Sequence, residues 1–211
     1  KGYFKTVEFV ISTGKEAHVF RAVDASGNFR AVKIYKIETS DFKNMSKYLE
    51  GDVRFKKIKQ NKRSLVFAWT RKEFKNLEAL NKAGISVPLP IVSKNNVLIM
   101  EFIGQEGKAA KTIRENPVEA EKFFDFAVDA LAKMLFRAEL VHSDFSEYNV
   151  LNNNGGPVLI DCAQAVLTSH PGAKDFWERD LKNIANYLAK KGMKKTPAEI
   201  EEEVRKKKNN L

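Results

Sequence analysis

The sequence predicts an α+β protein of two lobes, the first rich in strands and the second mainly helical. Three observations predict it. The first thirty-six residues alternate apolar and polar positions like strands. One helix and one buried-type strand follow in the middle of the chain. The remainder carries helical periodicity around a single short hairpin.

Taken in order, Tyr3–Ile11, Ala17–Val23 and Phe29–Tyr35 read as strands. Ala25-Ser26-Gly27-Asn28 is the turn that makes a hairpin of the last two. Residues 39–64 are polar and basic with weak periodicity, and read as an insertion or flexible loop. A helix is expected from about Ala68 to Lys82, stopped at Gly84, with Phe74, Leu77 and Leu80 on one face. Val87–Pro90 breaks the chain, Val97–Ile103 is a buried-type strand, and Gly104–Lys108 reads as a linker. The lobes therefore divide into 1–103 and 104–211, with a hinge at about 100–104.

In the second lobe, Asn116 is the expected N-cap, Pro117 the first helical residue and Glu119 the partner at capping-box spacing. That helix should run to about Glu139 and bury Phe123, Phe124, Ala127, Leu131 and Leu135. Val150-Leu151 and Val158–Ile160 flank an evident turn, Asn152–Pro157. Asp175–Ala189 reads as helix, and Thr196-Pro197-Ala198-Glu199 caps a terminal one.

Composition fits a globular chain of 211 residues, 43% hydrophobic and 30% charged. Cys162 is the only cysteine, which excludes an internal disulfide and points to a reducing compartment. No apolar run reaches the length of a membrane helix and no signal-peptide core opens the chain, so a cytoplasmic location is expected. The first residue is Lys rather than Met, so the sequence can be a piece of a longer chain.

Net charge is +10, from 37 basic and 27 acidic residues. The excess is concentrated. Lys43, Lys47, Arg54, Lys56, Lys57, Lys59, Lys62, Arg63, Arg71, Lys72 and Lys75 face only Glu50, Asp52 and Glu73 between residues 43 and 75. Such a patch suits either a polyanionic partner or a solvated charged loop.

The chemistry-bearing residues fall in the order phosphoryl transfer needs: a phosphate cradle, a cation, metal ligands and a group that orients the nucleophile. Ser12-Thr13-Gly14-Lys15-Glu16 lies between the first two strands and offers hydroxyl and ammonium donors beside a glycine. Taken alone it reads as an ordinary hairpin turn, and it is not a Walker A loop. Lys33 stands in the apolar strand Ala31-Val32-Lys33-Ile34-Tyr35. There it either meets an anion or points to water from an edge. Glu73, on the next helix, is placed to orient it. In His142-Ser143-Asp144-Phe145-Ser146-Glu147-Tyr148-Asn149, the Asp144 carboxylate can accept a hydroxyl proton and the Asn149 amide oxygen can ligate Mg²⁺. Asp161, after Leu159-Ile160, is a second and harder ligand. His142 reads as structural.

These motifs together resemble the RIO family of atypical serine/threonine kinases, in the branch called RIO one. The carrying residues are Ser12–Ala17, Arg71-Lys72-Glu73-Phe74 with Asn76-Leu77, the octet His142–Asn149, and Ile160-Asp161. The resemblance covers nearly the whole chain. It implies a trimmed protein-kinase-like fold with ATP between the lobes, and Mg²⁺ or Mn²⁺ as cofactor. Lys33 would contact phosphates and pair with Glu73. Asp144 would be the catalytic aspartate, with Asn149 and Asp161 on the metal. Met100 would stand as gatekeeper, with backbone groups of Glu101 and Ile103 on adenine. It further implies autophosphorylation, a possible phosphoaspartate at Asp161, and a role in maturation of the small ribosomal subunit, an RNA-rich partner for the basic patch.

The sequence departs from ordinary protein kinases. Cys162-Ala163 replaces Phe-Gly after Asp161, no Ala-Pro-Glu occurs, and fifty residues follow Asp161. An activation loop and peptide-docking helices are therefore not expected, and ATP hydrolysis stands beside protein phosphorylation as an outcome. Two other readings remain: a small-molecule phosphotransferase, and a nucleotide-sensing scaffold that docks on RNA.

Overall fold

The computed structural model describes residues 2–38, 42–55, 58 and 61–211. The chain forms two compact units, Lys1–Glu78 with Pro88–Ala109, and Ala79–Val87 with Ala110–Leu211.

The first unit is built on an antiparallel sheet. Its strands are β1 (Thr6–Thr13), β2 (Ala17–Val23) and β3 (Phe29–Tyr35), then, after helices α1 (Phe42–Leu49) and α2 (Lys62–Lys82), β4 (Pro90–Lys94) and β5 (Val97–Glu101). The sheet order β1-β2-β3-β5-β4 puts β3 at the centre. Alternation along β3 divides its side chains between the two faces. Val32 packs with Ala22 and Ile99, and Phe20, Ile34 and Val97 lie against them. Ala31, Lys33 and Tyr35 take the opposite face, together with their cross-strand partners Met100 and Leu98. The β2–β3 turn is closed by Asp24, whose Oδ1 accepts the N–H groups of Ser26 and Asn28, both at 2.9 Å.

Residues 39–64 do not behave throughout as a loop. The described part contains α1 and a 3-10 turn at Val53–Phe55, and α2 begins at Lys62. The cause is three apolar side chains that a polar background hides: Met45, Tyr48 and Leu49 are all buried, and Tyr48 packs on Trp69 of α2 at 5.9 Å. Lys56, Lys57 and Lys59 of the basic patch lie outside the described residues, as does the side chain of Lys43. The break at Val87–Pro90 is followed at once by β4, a strand the sequence did not announce.

A small hairpin, β6 (Gly104–Gln105) with β7 (Lys108–Ala109), replaces the expected linker. It stays with the first unit because the Arg21 guanidinium, held 4.3 and 4.6 Å from the rings of Phe9 and Phe29, donates to the Gly107 carbonyl. The division therefore falls after Ala109 rather than at 103. Ala79–Val87 goes with the second unit, where Lys133 donates to the Gly84 carbonyl at 3.0 Å and the Leu159 N–H to Ser86 at 2.9 Å.

The second unit comprises β8 (Lys111–Thr112), α3 (Ala120–Lys133), β9 (Leu140–Val141), β10 (Val150–Asn153), β11 (Gly156–Leu159), β12 (Val166–Leu167), α4 (Ala173–Lys190) and α5 (Pro197–Lys206). Its core gathers Phe123, Leu131, Phe145, Ile184, Leu188 and Ile200, all fully buried. Phe123 meets Tyr187 edge-on at 4.7 Å. The expected box at Asn116 does not form. Glu119 is the N-cap of α3 and makes no side-chain capping bond. Asn116 is instead tied back to the hairpin, its N–H on the Thr112 carbonyl at 2.8 Å and its carbonyl accepting from Asn152 at 3.0 Å. After Lys133 the helix widens to a π turn, Met134–Ala138, and ends at Glu139 with φ 53°. Phe124 and Leu135 are half-buried rather than core. The capping box at Thr196 forms as its residues dictate, with both reciprocal bonds to Glu199 present.

Candidate active site

Each unit carries part of the predicted constellation. In the first, Lys33 is no edge residue: it sits on the central strand with its side chain only 10% exposed. Its Nζ lies 2.7 Å from Glu73 Oε1, and Glu73 itself is 1% exposed. The Tyr35 hydroxyl donates to the other Glu73 oxygen. Two strand residues two positions apart thus grip one helix carboxylate. That arrangement offsets the desolvation of both charges and fixes the direction of the ammonium.

The predicted phosphate cradle splits in two. Ser12 and Thr13 belong to β1, and only Gly14-Lys15-Glu16 forms the connection to β2. The Gly14 N–H donates to the Ala17 carbonyl at 2.9 Å, and a Cβ at Gly14 would stand 3.3 Å from that oxygen. Lys36 donates to the Gly14 carbonyl at 2.8 Å. The turn is tight, exposed and tied from below. At the other end of the sheet, Met100 is buried on the Lys33 face. Glu101 gives its N–H to the Leu89 carbonyl at 2.8 Å and accepts the Leu89 N–H at 3.1 Å. Ile103 follows β5, half-buried.

In the second unit, the octet connects β9 to β10. Phe145 anchors it, fully buried and in ring contact with Phe123, Phe126 and His142 at 6.5, 6.4 and 5.7 Å. His142 is a wholly buried packing residue. Asn149 donates through Nδ2 to both the carbonyl and Oδ2 of Asp144, each at 2.9 Å. Two acceptors on one side fix the amide orientation and direct Oδ1 elsewhere. Beyond the hairpin pair Val150↔Leu159, the Ile160 N–H donates to the Asn149 carbonyl at 2.8 Å. Asn149 and Asp161 therefore stand at the same end of the hairpin. Asp161 is exposed, with left-handed backbone at φ 57° and ψ 60°. An amide oxygen and a carboxylate are oxygen donors of the kind a hard divalent cation takes.

The residue that sequence reasoning missed is Asp180. It is fully buried on α4, and its two oxygens accept the backbone N–H groups of Ser143 and Phe145, both at 2.8 Å. Arg179 donates to the Ser143 carbonyl between them. Ser143 is held at φ 69°, a conformation that costs energy outside glycine. Asp144, flanked by the two pinned amides, is thereby oriented from behind. Burial pushes the Asp180 carboxyl up to about 7. The two amide bonds and Arg179 oppose that rise, and the Asp144 charge adds to it. The signal was present in sequence: Asp180 lies on the same helix face as Trp177, Leu181, Ile184 and Leu188, where a carboxylate needs a buried partner.

Comparison with known proteins decides the family. The RIO domain matches residues 18–201. The chain belongs to the RIO family. This RIO chain is 46% identical over 182 residues to the RIO-type serine/threonine-protein kinase Rio1 of Haloferax volcanii, covering 86% of its own length and 63% of that protein. It is 40% identical over 189 residues to the protein of the same name from Thermoplasma acidophilum, covering 90% of itself and all of that relative. Against human serine/threonine-protein kinase RIO1, it is 37% identical over 193 residues but spans only 34% of that protein. A solved Rio2 kinase from Chaetomium thermophilum, in an ADP/Mg²⁺-phosphoaspartate complex, shares the RIO chain's fold. Its TM-score is 0.68 at 20% identity, with 94% of this chain and 61% of that one covered. The strand-rich first lobe and helical second lobe are thus those of a kinase-like α+β fold.

Proposed function

We propose that the chain is a Mg²⁺-ATP-dependent serine/threonine kinase or ATPase of the RIO class that phosphorylates itself. The observation that carries this reading is the buried Lys33–Glu73 pair on the central strand. It is an ammonium oriented by a carboxylate in a family whose named relatives are serine/threonine kinases.

Lys33 holds the ATP phosphates, and the turn Ser12–Glu16 cradles them with backbone and side-chain donors. Met100 closes the adenine end. Because the Glu101 N–H is committed to Leu89, any adenine contact from Glu101 falls to its carbonyl, with Ile103 supplying the N–H. Asn149 Oδ1 and Asp161 would hold Mg²⁺, which when bound would supply positive charge to the phosphate oxygens. Asp144 accepts the proton of an attacking hydroxyl or orients a water.

Asp161 is exposed and is the second acceptor we assign. An Asp161 oxygen attacks the γ-phosphorus, the bond to the β-phosphate oxygen breaks, ADP departs, and an acyl phosphate remains. Incubation with γ-labelled ATP followed by hydroxylamine tests the assignment. Label that hydroxylamine removes, and that Asp161→Asn never acquires, marks the acyl phosphate. Stable label marks Ser or Thr, and no label with no phosphate release refutes the enzyme. For a partner, the basic segment 43–75 supports an RNA-rich assembly such as an immature small ribosomal subunit.

A further inference from the structure

One recess of the first unit plays no part in the chemistry above. It is open, about 510 Å³, and lies on the outer side of α2. Ser64, Phe67 and Arg71 line it from the helix, and Ser93 and Lys94 from the end of β4 with Asn95 from the turn after it. The helix residues follow the 3–4 spacing of a single face. No carboxylate is among the lining residues. Among the described residues, neither Arg71 nor Lys94 has an ion-pair partner; Arg71 rests 5.8 Å from the Phe55 ring, while Arg21, Arg30, Lys33 and Arg54 of the same unit each meet a carboxylate. The first turn of α2 carries Lys62 and Arg63 and no acidic residue, the reverse of what the helix dipole favours. Two unpaired cations, two hydroxyls and an amide therefore converge over an apolar floor with no anion to meet them.

We propose that this recess binds a phosphate monoester carried on a serine or threonine side chain. A phosphomonoester dianion matches the two cations one for one, whereas an RNA phosphodiester carries a single charge. Arg71 offers a planar fork for two oxygens, Lys94 a point charge, and Ser64, Ser93 and Asn95 neutral donors. Phe67 gives the carrying side chain an apolar wall. The site has a consequence within the same unit. A ligand that spans Arg71 and Lys94 ties α2 to the end of β4. Glu73, two residues beyond Arg71, faces the sheet instead and holds Lys33. Occupancy of the outer face thus steadies the helix that orients the inner ion pair.

The test uses the whole chain and a short peptide carrying one phosphoserine among glycines and alanines, titrated by calorimetry. The unphosphorylated peptide and a uridine oligonucleotide are run in parallel. Phosphorylation should strengthen binding by about tenfold or more, and Arg71→Gln and Lys94→Gln should each remove about tenfold. Hydrogen exchange across α2 should slow in the phosphopeptide complex and not in either variant. Equal binding of the two peptides overturns the proposal, as does phosphopeptide binding that both variants retain. Oligonucleotide binding lost in both variants, without phosphopeptide binding, assigns the recess to RNA and also overturns it. Lys94 ends β4, outside α2, so its variant decides the matter if Arg71→Gln does not fold. Binding is read without turnover, so its outcome is independent of the roles assigned to Asp144 and Asp161.

Discussion

Replacing Lys33 by Met removes the ammonium while keeping most of the side-chain volume. The carboxylate left behind is 1% exposed and keeps the Tyr35 hydroxyl among its partners. Removing one partner of a buried pair costs about 3–5 kcal/mol, most of it the burial of the surviving charge. With a urea slope of roughly 2 kcal/mol/M, the unfolding midpoint should fall by about 1.5–2.5 M. Trp69 is buried on the helix that carries Glu73 and reports the transition by fluorescence. The double variant Lys33→Met/Glu73→Leu should regain most of the loss, because a well-packed apolar pair replaces a charged one at little net cost. Its remaining deficit should be about 1 kcal/mol, from the hydroxyl of Tyr35. ATP turnover should be lost in both. A single variant within about 1 kcal/mol of wild type, or a double variant as unstable as the single, would refute the reasoning.

Two further outcomes follow from the second unit. Asp180 titrates at about 7 in the folded chain against an ordinary 3.8, so between these values the folded state holds a proton that the unfolded state has lost. Stability should therefore fall as pH rises through that window, by on the order of 4 kcal/mol from this group, and level off above pH 7. Urea midpoints at pH 5 and pH 8 should diverge between wild type and Asp180→Asn, and parallel midpoints would contradict the assignment. Asn149→Ala should raise the Mg²⁺ concentration for half-maximal turnover by about tenfold or more while leaving the fold intact by circular dichroism. An unchanged Mg²⁺ curve would remove Asn149 from the metal.

The features legible in sequence were those written in local chemistry. The β2–β3 hairpin announces itself through Asp24 to Asn28, and the Thr196 box through residues three apart. The Lys33–Glu73 pair was reachable because order along the chain limits which helix faces which strand. What escaped was set by distant partners. The α1 helix depends on Tyr48 finding Trp69, and no window on residues 39–64 contains that ring. Asn116 looked like a cap until Asn152, thirty-six residues on, claimed its carbonyl. Asp180 showed only as a carboxylate on an apolar helix face; the partners it supports, the octet's backbone amides thirty-five residues away, are marked by no side-chain identity. The β6–β7 hairpin depends on Arg21 in the same manner.

The central claim is that Asp144 drives phosphoryl transfer. The measurement that tests it most directly is single-turnover conversion of γ-labelled ATP by Asp144→Ala, with the fold verified by circular dichroism. Loss of a group that accepts the proton of an attacking water or hydroxyl should slow phosphate release and hydroxylamine-stable self-labelling by about a hundredfold or more. A folded Asp144→Ala chain that turns over ATP at the wild-type rate would contradict the account.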